Sequence, residues 1–150
     1  MANLPSGAIT SAGTTLQVGL APATYDAAGF SAVTYNSLGE ITDMGEYGKK
    51  YKLVTHNPIG TRNTVKRRGS YDNGTMTLKT AWYKTDAGQN FIQNTALASD
   101  ASIAVKITLQ NGTINYFTAQ VLSYTKMIGN VDTITGSNIQ LELDNDIIEI

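Results

Sequence analysis

Apolar residues alternate with polar ones in several short stretches of this chain, and that period of two marks strands with one buried face. The strongest run is Ile103, Val105, Ile107 and Leu109, set between Ala104, Lys106, Thr108 and Gln110 and ending on Asn111-Gly112. That dipeptide accepts positive φ at both positions, as a two-residue type I′ turn requires, so a hairpin is predicted there. Its register is then fixed, with Leu109 opposite Ile114, Ile107 opposite Tyr116 and Val105 opposite Thr118. Phe117, Ala119 and Val121 fall on a second face, which must be covered by a helix or by another subunit. Met76, Leu78, Thr80 and Trp82, behind the turn signal Asp72-Asn73-Gly74, predict another strand. Leu16, Val18 and Leu20 predict one more near the start, and Ile139, Leu141 and Leu143 one near the end, preceded by a weaker stretch at 133–135.

The period changes once. Asp86-Ala87-Gly88-Gln89 has the form of a capping box, in which the Asp86 carboxylate accepts from the Gln89 amide and the Gln89 side chain reaches back. At 100° per residue Ala87, Phe91, Ile92 and Ala96 share one side, which predicts one short α-helix at about 86–96. Elsewhere the pattern thins. The first 46 residues read as arm and loop apart from the Leu16 strand. The stretch 45–64, punctuated by Gly45, Gly48, Pro58 and Gly60, reads as a long irregular loop with a brief period around Tyr51 to Val54. Such loops in small domains are functional or disordered.

A chain of 150 residues, 41% hydrophobic and 15% charged, has room for one core. The expected class is α+β, mainly β, a β-sandwich or barrel with one embedded helix. A formal net charge of -1 gives no general attraction to nucleic acid or to an anionic membrane. No apolar run approaches the roughly 18 residues of a membrane span. Residues 1–7 carry neither the basic flank nor the apolar run of a signal peptide, so synthesis in the cytoplasm is expected. Cysteine is absent, which excludes disulfides and thiolate metal sites. The single histidine, His56, has no nucleophile elbow beside it. Asp43 with Glu46, and Asp144 with Asp146, lack the ligand spacing of a calcium loop, and no phosphate-cradling glycine loop occurs. The reading is no enzyme, no cofactor and no metal.

Charge, however, is segregated. Between Tyr47 and Lys84 lie Lys49, Lys50, Lys52, Arg62, Lys66, Arg67, Arg68, Lys79 and Lys84 against Asp72 alone. The chain is acidic before that stretch, and acidic again at its end through Asp132, Glu142, Asp144, Asp146 and Glu149. Solvated scatter explains any single charge. A single-stranded nucleic-acid-binding β-barrel would use 49–68 with Tyr51 and Tyr71, although strand alternation sends Lys66 and Arg68 to one face and Arg67 to the other. Head-to-tail self-association, a basic surface of one copy on an acidic surface of the next, is the third reading. It makes Lys49, Lys50, Lys52, Arg62, Lys66, Arg67, Arg68, Phe117, Val121, Asp144, Asp146 and Glu149 the candidate inter-subunit residues.

The segment Lys66-Arg67-Arg68-Gly69-Ser70-Tyr71-Asp72-Asn73-Gly74-Thr75-Met76-Thr77-Leu78 leads on to Asp86-Ala87-Gly88-Gln89 and then to the hairpin from Val105 to Val121. In order and spacing, over about 42–143, this resembles the major tail tube proteins of siphophages, whose tails are long and non-contractile. The resemblance implies one tail-tube-type domain over 1–150, with an N-terminal arm at 1–13, an inter-ring loop at 45–64, a C-terminal tail at 144–150 and no appended immunoglobulin-like domain. It implies copies that close laterally into hexameric rings and stack head to tail into a hollow conduit, through which genomic DNA passes into the host without specific binding. The implied partners are further copies of the chain and the tape measure, tail terminator and distal tail proteins. The implied location is the virion tail, built in the host cytoplasm with no membrane. A tail terminator or ring protein and a secretion-system tube analogue are the related alternatives.

Overall fold

The computed structural model describes residues 8–150; 1–7, the first half of the expected N-terminal arm, lie outside the described residues. In chain order the elements are β1 (Thr15–Leu20), α1 (Ala27–Ser31), β2 (Tyr35–Leu38), β3 (Ile41–Asp43), β4 (Lys50–His56), β5 (Val65–Asp72) and β6 (Thr75–Ala81). Then come α2 (Ala87–Phe91), running on into a π-helical turn (Ile92–Ala96), β7 (Ile103–Thr108), β8 (Ile114–Met127), β9 (Gly136–Leu143) and β10 (Ile148–Glu149). All strands except β4 and β5 form one antiparallel sheet of order β2-β1-β7-β8-β9-β6-β3, with β10 also paired to β8.

The two end strands of that sheet are consecutive in the chain, joined by Gly39 and Glu40. Laid flat, a sheet of this order would hold its ends about 29 Å apart at ~4.8 Å per strand. A two-residue link reaches about 11 Å. The sheet therefore curls into a barrel, helped by the long β8, which pairs with β7 through its first half, bulges at Leu122 and pairs with β9 through its second. Leu16, Val18, Met76, Leu78, Ile103, Val105, Ile107, Phe117, Ile139 and Leu141 fill the interior. Ile92 and Ala96 join them from the helical segment.

The helix is locked to the crossing link. The Asp86 carboxylate accepts from the Gln89 amide, capping α2, and also from the Gly39 amide, each at 3.0 Å. Gly88 backs onto β2 so closely that a Cβ there would lie 2.6 Å from the Leu38 Cα, so α2 covers one flank of that end strand. Gln89 leaves the second half of the capping box unmade. Buried at 1% exposure, it donates to the Ala81 carbonyl at 3.0 Å and accepts from the Tyr83 amide and the Tyr124 hydroxyl, which bolts α2 to the end of β6.

Three expectations are corrected. The β7–β8 register is slipped by one residue: Thr108 faces Ile114, Ile107 faces Asn115 and Val105 faces Phe117. The loop holds three residues rather than two. The Gly112 amide donates to the Leu109 carbonyl and the Leu109 amide to the Thr113 carbonyl, and Gly112 takes a φ of 91° while Asn111 stays out of the positive region. This is a type I turn followed by a left-handed glycine. A one-residue slip exchanges the faces of a strand. Phe117 is therefore 0% exposed inside its own barrel and Val121 packs against the same core, so Phe117 has no surface to offer a neighbour.

The second correction concerns the outer face that the slip creates, with Ala104 and Tyr116. It is covered from within the chain by α1, a helix for which the sequence shows no period. Asp26 caps it by accepting from the Gly29 amide at 2.6 Å. Phe30 stacks on Tyr116 with ring centroids 5.2 Å apart. Third, the stretch 45–64 is not an irregular loop: it contains β4, which pairs with β5 in a two-stranded ribbon separate from the barrel.

Phe117→Ala is expected to remove about 3–5 kcal/mol of unfolding free energy, measured by urea denaturation at a concentration where the protein is monomeric. A change below ~1 kcal/mol would return Phe117 to the surface. Asp86→Ala is expected to cost about 2 kcal/mol, since it loses the Gly39 contact as well as the cap.

Candidate assembly surfaces

The β4–β5 ribbon leaves the barrel between Gly48 and Gly74. Every residue of β4 is exposed, so neither face of the ribbon rests on the subunit that makes it. Isolated two-stranded hairpins are marginal in water, and this one is braced by side chains. Tyr51 and Tyr71 sit opposite each other with ring centroids 5.4 Å apart. The Lys49 ammonium lies 4.2 Å from the Tyr71 ring and the Arg68 guanidinium 4.4 Å from the Tyr51 ring. The order Lys49, Tyr71, Tyr51, Arg68 stiffens the root and places a cation over each of these rings, where a stacked base would have to lie. Just beyond, Lys52 lies between the Tyr51–Tyr71 and Leu53–Arg68 pairs, opposite both Ser70 and Gly69, a bulge that re-aims the outer half of the ribbon.

Beyond the bulge Leu53 faces Arg68, Val54 faces Arg67 and Thr55 faces Lys66. Leu53 is 65% exposed and Val54 52% exposed, while Ile59, in the connection at 57–64, is fully exposed. Residues 50–72 hold six cations and one carboxylate, a net +5. The remaining five cations and eleven carboxylates leave -6 on everything else. Among the described residues the ion pairs are Lys49 with Asp146 at 3.6 Å and Lys50 with Glu46 at 3.5 Å, so Lys52, Arg62, Lys66, Arg67 and Arg68 have no carboxylate partner in their own subunit.

The acidic tail makes contacts within its own subunit. It turns back and pairs as β10 with Asn115 and Tyr116, closed by mutual amide bonds between Ile114 and Ile150. The Asp144 carboxylate accepts from the hydroxyls of Thr118, at 2.5 Å, and of Ser102. Asp146 pairs with Lys49, accepts from the Asn73 side chain at 3.5 Å, and offers its carbonyl to the Tyr25 hydroxyl. Burial pushes the Tyr25 phenol up from its ordinary pKa, which keeps it a neutral donor there. Asp144 and Asp146 thus tie the tail, the segment before α1 and the ribbon root together, while all three carboxylates, Glu149 included, stay solvent-exposed.

Two further surfaces carry no sequence signal beyond isolated aliphatics. The 128–135 connection between β8 and β9 exposes Ile128, Val131 and Ile134. Because β6 runs from Thr75 at the ribbon root to Ala81 beside Gly136, this connection lies at the opposite end of the barrel from the ribbon. In the barrel wall a seam stays open between 11–14, the strip from Ile41 to Tyr47, and Ile107 and Leu109, leaving a hollow of about 520 Å³. His56 is exposed at the end of β4, and among the described residues no group of three or more His, Asp or Glu side chains is placed to hold a metal.

A family model described as lambda phage tail tube protein matches residues 10–142. No curated protein matches the sequence. Among solved structures, a chain of the anti-feeding prophage baseplate, symmetrised six-fold, superposes with a TM-score of 0.69 at 9% identity over 95% of both chains. A chain from the sheath/tube terminator of the PVC extracellular contractile injection system gives 0.65 at 14% identity, over 95% of this chain and 96% of the other. One from the cap that terminates the anti-feeding prophage tube gives 0.56 at 14%, over 90% and 87%. At these identities the likeness is one of fold.

Asp146→Ala removes the carboxylate from Lys49 and Asn73 at once. Hydrogen exchange of the Gly48 amide, which bonds the Asn73 carbonyl at 3.1 Å, is expected to quicken about fivefold, the equivalent of ~1 kcal/mol, with the Val105 amide in the barrel unchanged.

Proposed function

Since the chain belongs to the lambda phage tail tube protein family, a structural component of the virion tail, we propose that its copies close laterally into hexameric rings and stack head to tail into the conduit of a long, non-contractile tail. The observation that carries the stacking is the β4–β5 ribbon, which leaves its subunit wet on both faces, carries +5, and exposes Leu53, Val54 and Ile59. Exposed aliphatics on both faces of a ribbon with unpaired strand edges favour association. The exposed aliphatics of the 128–135 connection, at the other end of the barrel, suit a heterologous contact, which repeats without closing. Six-fold symmetry in the baseplate that supplies one structural neighbour supports a hexameric ring.

The conduit reading takes genomic DNA as cargo, passing without specific binding, and takes tape measure, tail terminator and distal tail proteins as partners at its core and ends. The whole chain acts as one domain, assembled in the host cytoplasm. Its work is geometry rather than catalysis. A terminator role is the second reading, favoured by structural neighbours that come from a tube terminator and a tube-terminating cap. The two readings differ in length of polymer, because a terminator stops at a ring.

Electron microscopy of the purified chain is expected to show tubes many rings long; rings alone favour the terminator, and a strict monomer at high concentration removes both. Replacing Arg67 and Arg68 together by Glu is expected to abolish stacking while changing unfolding free energy by less than about 1 kcal/mol, because both are exposed.

A further inference from the structure

The open seam in the barrel wall has a floor and a rim of different character. Ile41, Met44, Tyr47 and Leu109 line it and are only half-buried, so the hydrophobic core is continued outward to the surface there. Among the described residues its one charged lining residue is Asp43, which makes no ion pair, whereas Glu46 beside it is held by Lys50. An apolar hollow with an unpaired carboxylate at its rim suits an aliphatic side chain with a cation nearby. The end of the ribbon has that composition, with Ile59 fully exposed three residues from Arg62.

We propose that the seam of one subunit receives the ribbon end of a second copy, with Ile59 seated in the hollow and Arg62 set against Asp43. The dimensions agree. β4 has seven residues, as does β6, so at ~3.3 Å per residue each is about 23 Å long. A ribbon leaving one end of a barrel and laid along the side of the next spans its height and passes the seam. The subunit's own ribbon does not fill the seam: it pairs as a separate sheet, with every residue of β4 exposed. Burial of Ile59 and of the exposed parts of the seam removes apolar surface from water, while the Arg62 and Asp43 charges steer the encounter and fix its register. The proposal rests on the tube reading and names the surface that would receive the ribbon end.

The chain contains no cysteine, so pairs introduced by mutation report on the contact without background. In full-length Ile59→Cys/Thr42→Cys, oxidation of the polymer is expected to give a ladder of dimers, trimers and longer species on a non-reducing gel, because each copy carries one end and one seam. Either single variant is expected to give dimers at most. Ile59→Asp, at a fully solvated position, is expected to lower polymer yield at least tenfold with an unchanged unfolding midpoint. Tubes of the double variant that yield no ladder, or an Ile59→Asp chain that polymerises normally, overturn the seam assignment and leave the tube reading standing. A wild-type chain that forms neither rings nor tubes overturns both.

Discussion

Two residues, Gly39 and Glu40, tie the first edge of an antiparallel sheet to its last, and most of the architecture depends on that tether. A sheet held at both ends within the reach of so short a link has to close, and closing it converts one face of every strand into an interior. Glu40 accepts a left-handed φ of 57° to make the crossing, a conformation that costs a non-glycine residue on the order of 1 kcal/mol. Neighbours acting on the same spot offset that cost. The Ala81 amide bonds the Glu40 carbonyl at 2.9 Å, and the Asp86 carboxylate holds the Gly39 amide while starting α2. Cap, helix and crossing link are one unit, and Gln89 extends it to β6.

Closure also explains the division of labour between inside and outside. The large aliphatic and aromatic side chains of β1, β6, β7, β8 and β9 fill the interior, and α1 with Phe30 covers the outer patch at Ala104 and Tyr116. The acidic tail holds itself to β8 and the ribbon to the barrel. Exposed apolar surface is left on the ribbon and on the 128–135 connection, among other places. A family of tube-forming proteins needs surfaces of this kind, which expose apolar area when the subunit stands alone, and the barrel supplies the stability that the ribbon cannot supply for itself.

The residues that were legible in the sequence are those with one dry face. β6 and β9 alternate because one side of each meets the core, and the Asp86 cap was readable because its partner lies three residues away. The ribbon is hard to read for the opposite reason: with both faces in water, β4 carries only the brief period around Tyr51 to Val54, and its pairing with β5 shows only in three dimensions. α1 is a single turn, too short to repeat its apolar positions. The hairpin register turns on the loop. Asn111-Gly112 suits a two-residue turn and equally the end of a three-residue one, nothing local distinguishes them, and that single step decides which face Phe117 and Val121 take. For the assembly surface, the cationic run was plain, whereas Ile59 and the seam were not, because a hollow exists only after closure.

The bulge at Lys52 sits between the braced root of the ribbon and the part that reaches away from the barrel. An extra residue in one strand of a pair bends and twists the residues beyond it. In a filament built by repeating a single contact, the direction in which that contact is offered is multiplied at every layer. In the proposed stack, a few degrees set by Ser70 and Gly69 opposite Lys52 would be repeated at every ring, so a local irregularity in one hairpin would become a macroscopic twist.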